Sequence, residues 1–168
     1  MQMVVTILSV LCIMLVAIDA FETMILPGHV ARKLKVAKLV YRTTWLVWAA
    51  LGRRLHPGKR REYYLSFYGP FSLILVLVLW AGLFILAFAV LQWGFATPLL
   101  APEKIPTFFT YLYMSGTVFV TLGFGDVTPL SQLGRTLAVT ECGMGLAFLA
   151  LIIGYIPVSY THLRAHET

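Results

Sequence analysis

The segment TVFVTLGFGD, residues 117–126, brings together residue types that could bind a cation through the backbone. An apolar run ends in Thr121, two glycines separated by one residue, and Asp126. Each glycine costs a helix about 1 kcal/mol relative to alanine, so the segment favours irregular backbone. Glycine also reaches conformations in which successive carbonyls face one axis. A stack of such carbonyl oxygens can replace the hydration shell of a cation.

Membrane-length apolar runs flank this segment. The 168-residue chain is 60% hydrophobic and 12% charged, whereas soluble domains are about 25% charged. No charged residue lies between Glu62 and Glu103. The run 73–91 with its flanks exceeds the roughly 20 residues that cross a bilayer. The sequence therefore predicts an all-α membrane protein.

Two further apolar runs, residues 3–21 and 134–157, predict three transmembrane helices in total. A cleaved signal peptide is the alternative for the first run. However, its start, MQMVV, carries no basic residue, and AIDA is a poor cleavage site. We expect Cys12 and Cys142, one in each run, to be small buried residues without a disulfide.

The basic residues predict the orientation of these helices. Ten of the 13 Lys and Arg lie within residues 32–61, and the positive-inside rule places this segment in the cytoplasm. The N-terminus is then outside, the C-terminus is cytoplasmic, and residues 94–133 face the outside. We expect a multi-pass protein of the cell membrane.

The basic segment, residues 29–66, alternates cationic and apolar residues at helical spacing. This pattern predicts an amphipathic helix on the inner leaflet, with anionic lipid bound along residues 32–61. A voltage-sensing helix is the alternative, because Arg32, Lys35 and Lys38 recur every third residue. Such a helix needs acidic partners on neighbouring spans, and the preceding span offers only Asp19 and Glu22. The stretch HPGKRR, residues 56–61, predicts a turn.

The outward segment predicts a re-entrant loop. Residues 94–106 contain three prolines and predict an outer loop, and Thr107 is a candidate helix cap. The apolar stretch 107–120 is too short to span a bilayer, and the glycine-containing segment follows it. Irregular backbone at membrane depth is tolerated where it is buried in protein or lines a watery cavity. We therefore expect this loop to line a pore or a site.

The motif TLGFGD resembles the potassium-channel signature TVGYGD, with Leu122 and Phe124 as variants. The resemblance covers about residues 67–157 and implies the pore domain of small prokaryotic potassium channels, preceded here by an extra N-terminal span, residues 1–28. Gly134 and Arg135 match the start of the inner helix, and Gly145 matches the gating-hinge glycine. The implied elements are an outer helix 70–93, an outer loop 94–106, a pore helix 107–120, a filter 121–126 and an inner helix 134–157.

The resemblance implies a homotetramer that conducts K⁺, because four filter strands surround one axis. Leu122 and Phe124 would point away from that axis and brace the filter against the pore helix. Asp126 would lie at the outer mouth and concentrate cations. No other cofactor and no nucleic-acid partner is expected. The implied ion-binding residues are Thr121, Leu122, Gly123, Phe124 and Gly125.

Departures from the family pattern leave the strictness of K⁺ selectivity open. Val120 replaces a threonine, Phe124 lacks a tyrosine hydroxyl, and Met114 replaces an aromatic residue. Thr117 stands where some channels carry a glutamate that partners the filter aspartate. A less selective monovalent cation channel is one alternative, and a non-conducting membrane scaffold is another. An enzyme is not expected, since the sequence offers no nucleophile–base pair, paired carboxylates or metal-ligand cluster.

The last span and the residues that follow it each carry one feature with two interpretations. Glu141 is a candidate charge in the pore cavity, and a neutral or paired residue at a helix interface is the alternative. The terminal residues 158–168 read as an abrupt polar tail that resembles a translated sequencing-adaptor tail, and a genuine short tail is the alternative. His162 and His166 within it are not expected to bind metal.

Overall fold

The computed structural model describes residues 2–25, 36–53, 58–103 and 105–164, and these fold almost entirely as helices. By contact the chain forms two compact units: Val16–Gly82, and Met1–Leu15 together with Leu83–Thr168. The elements in chain order are α1 (Gln2–Ile25), α2 (Val36–Gly52), α3 (Lys59–Ser66), α4 (Tyr68–Gly94), β1 (Leu99–Leu100), α5 (Phe108–Phe119), β2 (Thr128–Pro129) and α6 (Gln132–Arg164).

Three helical stretches are long and apolar enough to cross a membrane, namely Gln2–Met24, Arg60–Gly94 and Gln132–Gly154. The fold class predicted from the sequence is confirmed in this respect. The second stretch joins α3 and α4, so the predicted turn at residues 56–61 is wrong for its last three residues. Lys59 begins α3, and the Arg61 and Glu62 amides both donate to the Gly58 carbonyl. Residues 59–61 therefore belong to a helix, and residues 56 and 57 of the predicted turn lie outside the described residues.

Within the unit Val16–Gly82, a buried aspartate joins three helices. The Asp19 Oδ2 atom accepts hydrogen bonds from the Ala37 amide, at 3.1 Å, and from Trp80 Nε1, at 3.0 Å. Asp19 is only 6% exposed, and its charge lies in the first turn of α2, where backbone amides favour an anion. This position gives Asp19 a structural role. Arg32 and Lys35 of the voltage-sensing alternative lie outside the described residues.

Aromatic stacking holds α2 against α3 and the start of α4 in the same unit. The Trp48 ring stacks on Tyr64 with a centroid distance of 4.5 Å and an interplanar angle of 6°. It also contacts Phe71, with centroids 5.1 Å apart. The Trp48 indole nitrogen donates to the Tyr64 carbonyl at 3.2 Å, so the polar end of the ring is satisfied.

The second unit is built around the short helix α5. A buried cluster joins α4, β1, α5 and the segment after the glycine motif; its members are Ala89, Leu99, Tyr111, Met114 and Val127. The strands β1 and β2 pair antiparallel, with Leu99 opposite Pro129 and Leu100 opposite Thr128. This pairing ties the chain just before α5 to the chain just after the motif.

The inner helix α6 begins two residues before the predicted position 134. Ser131 precedes it, and its hydroxyl oxygen accepts a hydrogen bond from the Gly134 amide at 3.1 Å, as a helix cap does. Position 134 has no room for a larger residue, since a Cβ atom there would lie 2.9 Å from the Pro129 Cβ. At its other end α6 continues to Arg164. Residues 158–164 therefore continue the helix beyond the predicted boundary at residue 157, and the origin of the tail 158–168 stays a prediction.

Candidate functional site

The helix α5 is anchored at its start and ends where the glycine motif begins. Thr107 is the N-cap residue, and a capping box joins it to Thr110; the Thr107 amide donates to Thr110 Oγ1 at 3.0 Å. Two orphan backbone donors are satisfied in this way. With 12 residues, α5 is too short to span a bilayer. Its carboxyl end, and the negative end of its dipole, point toward the motif.

The motif backbone has positive φ at every second residue. The φ angles are 60° at Thr121, 54° at Gly123 and 78° at Gly125. Glycine adopts such angles without steric cost, whereas a β-branched residue does so only under strain. Leu122 and Phe124 are not among the positive-φ residues. An extended strand points successive carbonyls to opposite sides, whereas a backbone that alternates between negative and positive φ can point them to one side.

Hydrogen bonds from the motif amides fix this segment to the end of α5. The Thr117 carbonyl accepts from the Leu122 amide at 2.8 Å and from the Gly123 amide at 3.2 Å, and the Val118 carbonyl accepts from the Thr121 amide at 3.0 Å. No donor among the described residues bonds to a carbonyl oxygen of residues 121–125, which are all exposed in the chain. The amides of Thr121, Leu122 and Gly123 are thus bound to the end of α5, whereas the carbonyl oxygens of residues 121–125 accept no hydrogen bond from the described residues.

The outer end of the motif is held by a tyrosine. The Tyr113 hydroxyl donates to Asp126 Oδ2 at 2.8 Å, and the Val127 amide donates to Asp126 Oδ1 at 3.1 Å. The hydrogen bond to Asp126 raises the pKa of Tyr113. Thr117 stands where some channels carry a glutamate that partners the filter aspartate, and its hydroxyl donates to the Met114 carbonyl. No local pattern signals the Tyr113–Asp126 pair, because 13 positions separate the two residues.

The apolar side chains of the motif make little contact with their own chain. Leu122 is 58% exposed and Phe124 is 66% exposed. These side chains are therefore mostly uncovered in a single chain, and their bracing of the filter stays a prediction. Val120 at the end of α5 is also exposed, at 52%.

Gly145 lies where α6 crosses the end of α5. A Cβ atom at this position would overlap the Phe119 carbonyl oxygen and lie 2.9 Å from the carbonyl carbon. The ring of Phe148, one turn later, contacts those of Phe84 and Phe119 with centroids about 6 Å apart. Gly145 is thus a site of close helix packing in this structure, and its role as a gating hinge stays a prediction.

Glu141 is completely buried, with 0% exposure. Its Oε1 atom is hydrogen-bonded to the hydroxyl of Ser115 on α5. The same hydroxyl lies 2.7 Å from the Ile85 carbonyl oxygen of α4. A side chain facing a pore cavity would be exposed in one chain, so the candidate role of Glu141 as a cavity charge is wrong. The alternative, a neutral or paired residue at a helix interface, describes Glu141.

Comparison with known proteins agrees with this geometry. A protein-family model described as "Ion channel" matches residues 71–160, which is more than half of the chain. The match runs from the first turn of α4 through α5 and the glycine motif into α6. No curated protein and no solved structure matches the chain. Membership of this family makes the chain a channel protein rather than an enzyme. The chain belongs to this ion channel family, and the resemblance to the potassium-channel pore-domain superfamily is confirmed.

Proposed function

We propose that this protein is a potassium-selective channel that conducts K⁺ passively through a homotetrameric pore. The backbone of residues 121–125 is the observation that carries the proposal. Its positive φ angles alternate, its first three amides donate hydrogen bonds to the end of α5, and its carbonyl oxygens accept no hydrogen bond from the described residues. Free carbonyls presented on one side are the ligands that a dehydrated K⁺ requires.

Four copies of the chain complete the proposed site. One chain supplies a single line of carbonyls, and a cation on an axis needs oxygen ligands from all sides. The exposed side chains of Leu122 and Phe124 would pack against neighbouring copies. In this arrangement the bracing absent from the single chain is supplied between chains, and Asp126 surrounds the outer mouth with negative charge.

The proposed orientation places the N-terminus outside and the C-terminus in the cytoplasm of the cell membrane. The basic segment then lies at the inner leaflet, and its cations bind anionic lipid. Lys38, Arg42, Arg53 and Arg60 are exposed, as this role requires.

Flux into liposomes tests the proposal directly. The purified protein is reconstituted, K⁺ uptake is measured under a K⁺ gradient, and the reversal potential is measured in mixed K⁺ and Na⁺. We expect uptake and a reversal potential that follows the K⁺ gradient. Gly123→Ala should reduce the flux about tenfold or more, because each of four chains would be strained by about 1–2 kcal/mol.

Gly82→Ala is the matched control. Gly82 lies within α4, and a Cβ atom there would meet no atom within 4 Å, so this variant should conduct like the wild type. A reversal potential that ignores the K⁺ gradient would support the less selective cation channel. Absence of any flux from a chain shown to be tetrameric would support the non-conducting scaffold.

A further inference from the structure

One buried polar contact joins the three helices around the proposed filter. It consists of the Ser115 hydroxyl on α5, the Ile85 carbonyl on α4 and the Glu141 carboxyl on α6. Ser115 and Glu141 are both 0% exposed. The remaining carboxyl oxygen, Glu141 Oε2, is buried and has no hydrogen-bond partner among the described residues. An ionised carboxylate in this position would lack compensation, which makes it costly.

Counting protons at Ser115 determines which group donates. A serine hydroxyl carries one proton and can donate one hydrogen bond. The Ile85 carbonyl can only accept, and it lies 2.7 Å from Ser115 Oγ. The bond between Ser115 and Glu141 then requires a proton from Glu141. Both hydrogen bonds are made only when the carboxyl is protonated.

We propose that Glu141 is a protonated positioning residue that holds the pore helix and makes conduction sensitive to alkaline pH. Glu141 donates to Ser115, and Ser115 donates to the Ile85 carbonyl. Loss of the Glu141 proton removes one of these two hydrogen bonds, because the single Ser115 hydroxyl proton cannot make both. It also places a negative charge in an apolar interface. The consequence for conduction rests on the proposed channel function, whereas the protonation state does not.

Ser115 is close to the proposed filter along α5. Thr117 follows it by two residues, and the Thr117 carbonyl holds the Leu122 and Gly123 amides. Gly145, one helical turn after Glu141, lies against Phe119 at the end of the same helix. A shift of α6 away from Ser115 would therefore move the support of the carbonyl-bearing segment, and conduction should fall.

The elements around Glu141 carry few other titratable groups. Tyr111 and Tyr113 lie on α5; burial raises the pKa of Tyr111 and the hydrogen bond to Asp126 raises that of Tyr113. Between Gln132 and Gly154, α6 carries Arg135, whose Nε donates to the Pro129 carbonyl, and Cys142. Tyr68 is the titratable residue of α4, and Cys12 is that of α1 through Leu15. No described residue forms an ion pair with Glu141.

The test compares pH dependence in the full-length protein with both cysteines replaced by serine, so that no thiol ionises. K⁺ flux into liposomes is measured at pH 7 and at about pH 9, where a tyrosine of ordinary pKa is still about 90% protonated. We expect the flux to fall about tenfold at the higher pH, the effect of leaving one buried hydrogen bond unmade. Glu141→Gln should conduct at both pH values, since its amide donates to Ser115 without ionising. Ser115→Ala should conduct poorly at both.

Infrared spectroscopy provides a readout independent of conduction. The difference spectrum between the parent protein and Glu141→Gln should contain the carbonyl band of a protonated carboxylic acid at pH 7, and this band should disappear with the flux at alkaline pH. Thr136→Val is the control for Ser115→Ala, because the Thr136 hydroxyl donates only to the Gln132 carbonyl of its own helix. It should keep the parent pH dependence.

Two results would overturn the inference: a carboxylate band from Glu141 at pH 7, or the same pH dependence of flux in Glu141→Gln as in the parent protein. A chain that conducts nothing at any pH would instead contradict the proposed function. The infrared difference would still decide the protonation state of Glu141.

Discussion

At the scale of single residues, the glycine motif is distinguished by the conformation and the hydrogen bonds of its backbone. Gly123 and Gly125 adopt positive φ without a steric penalty, but Thr121 does so as a β-branched residue. Strain of about 1–3 kcal/mol is typical of such a residue and occurs mainly at functional sites. The hydrogen bond from the Thr121 amide to the Val118 carbonyl helps to retain this conformation. In the proposed filter, this backbone conformation keeps the carbonyl oxygens on the side that faces the ion.

The hydrogen bond of the Tyr113 phenol predicts how the stability of the protein changes with pH. Its bond to Asp126 requires the phenol proton, and the bond raises the pKa of Tyr113 above its ordinary value of 10.0. The stabilisation it provides is therefore complete below about pH 10 and is lost as the pH rises through the raised pKa. Tyr113→Phe should lower the melting temperature by a constant amount at pH 7 to 9, and the difference from wild type should vanish in strong alkali.

Thermal unfolding at a series of pH values measures this effect. Tyr63→Phe is the control, because Tyr63 is 70% exposed and its phenol makes no hydrogen bond to a described residue. A melting-temperature difference for Tyr113→Phe that persists unchanged in strong alkali would contradict the assigned bond.

At the scale of the elements, the helix α5 owes its position to contacts at both ends. The capping box at Thr107 fixes where it begins, and the Tyr111 hydroxyl donates to the Thr97 carbonyl at 2.8 Å. Its last residue, Phe119, lies against Gly145 of α6. Placing α5 thus depends on residues from three separate parts of the sequence.

Substitution of Gly145 by alanine distinguishes a role in helix packing from a role as a gating hinge. Gly145→Ala should destabilise the fold by about 1–3 kcal/mol, the range expected for overpacking, because its Cβ would overlap the Phe119 carbonyl. The free energy of unfolding is measured by denaturant titration in detergent. If Gly145 were only a hinge, alanine would instead leave stability unchanged or improve it and would alter open probability alone.

Gly143→Ala is the matched control on the same helix. A Cβ atom there would meet no atom within 4 Å, so the substitution should stabilise α6 by up to about 1 kcal/mol through helix propensity. Equal effects of the two substitutions would rule out the packing role of Gly145.

At the scale of the whole molecule, the exposed apolar residues on α5 and at the proposed filter are surfaces that the proposed tetramer would cover. Phe109 on α5 is 76% exposed, and Phe124 is nearly as exposed. Lipid can cover the apolar surfaces of spanning helices, but a carbonyl-lined segment needs a polar or ionic environment on one side. The proposed ring of four chains would provide both surroundings.

Native mass spectrometry tests this arrangement. We expect the protein released from detergent to have the mass of four 18.8-kDa chains, and cross-linking before release should yield species up to the tetramer. Phe124→Ala should weaken the assembly, whereas Val78→Ala, which shortens an exposed side chain on α4, should not. A conducting monomer or dimer would contradict the tetramer.

The sequence by itself determined the membrane class, the three spans and the resemblance of TLGFGD to a known filter. These follow from hydropathy and from local backbone preference, both of which act over neighbouring residues. The tertiary structure decided which groups meet across long separations. Asp126 meets Tyr113, Gly145 meets Phe119, and Glu141 meets Ser115 rather than a cavity. The rotation of a helix about its axis is set by packing against other helices, and an evenly apolar sequence gives little indication of which face is buried.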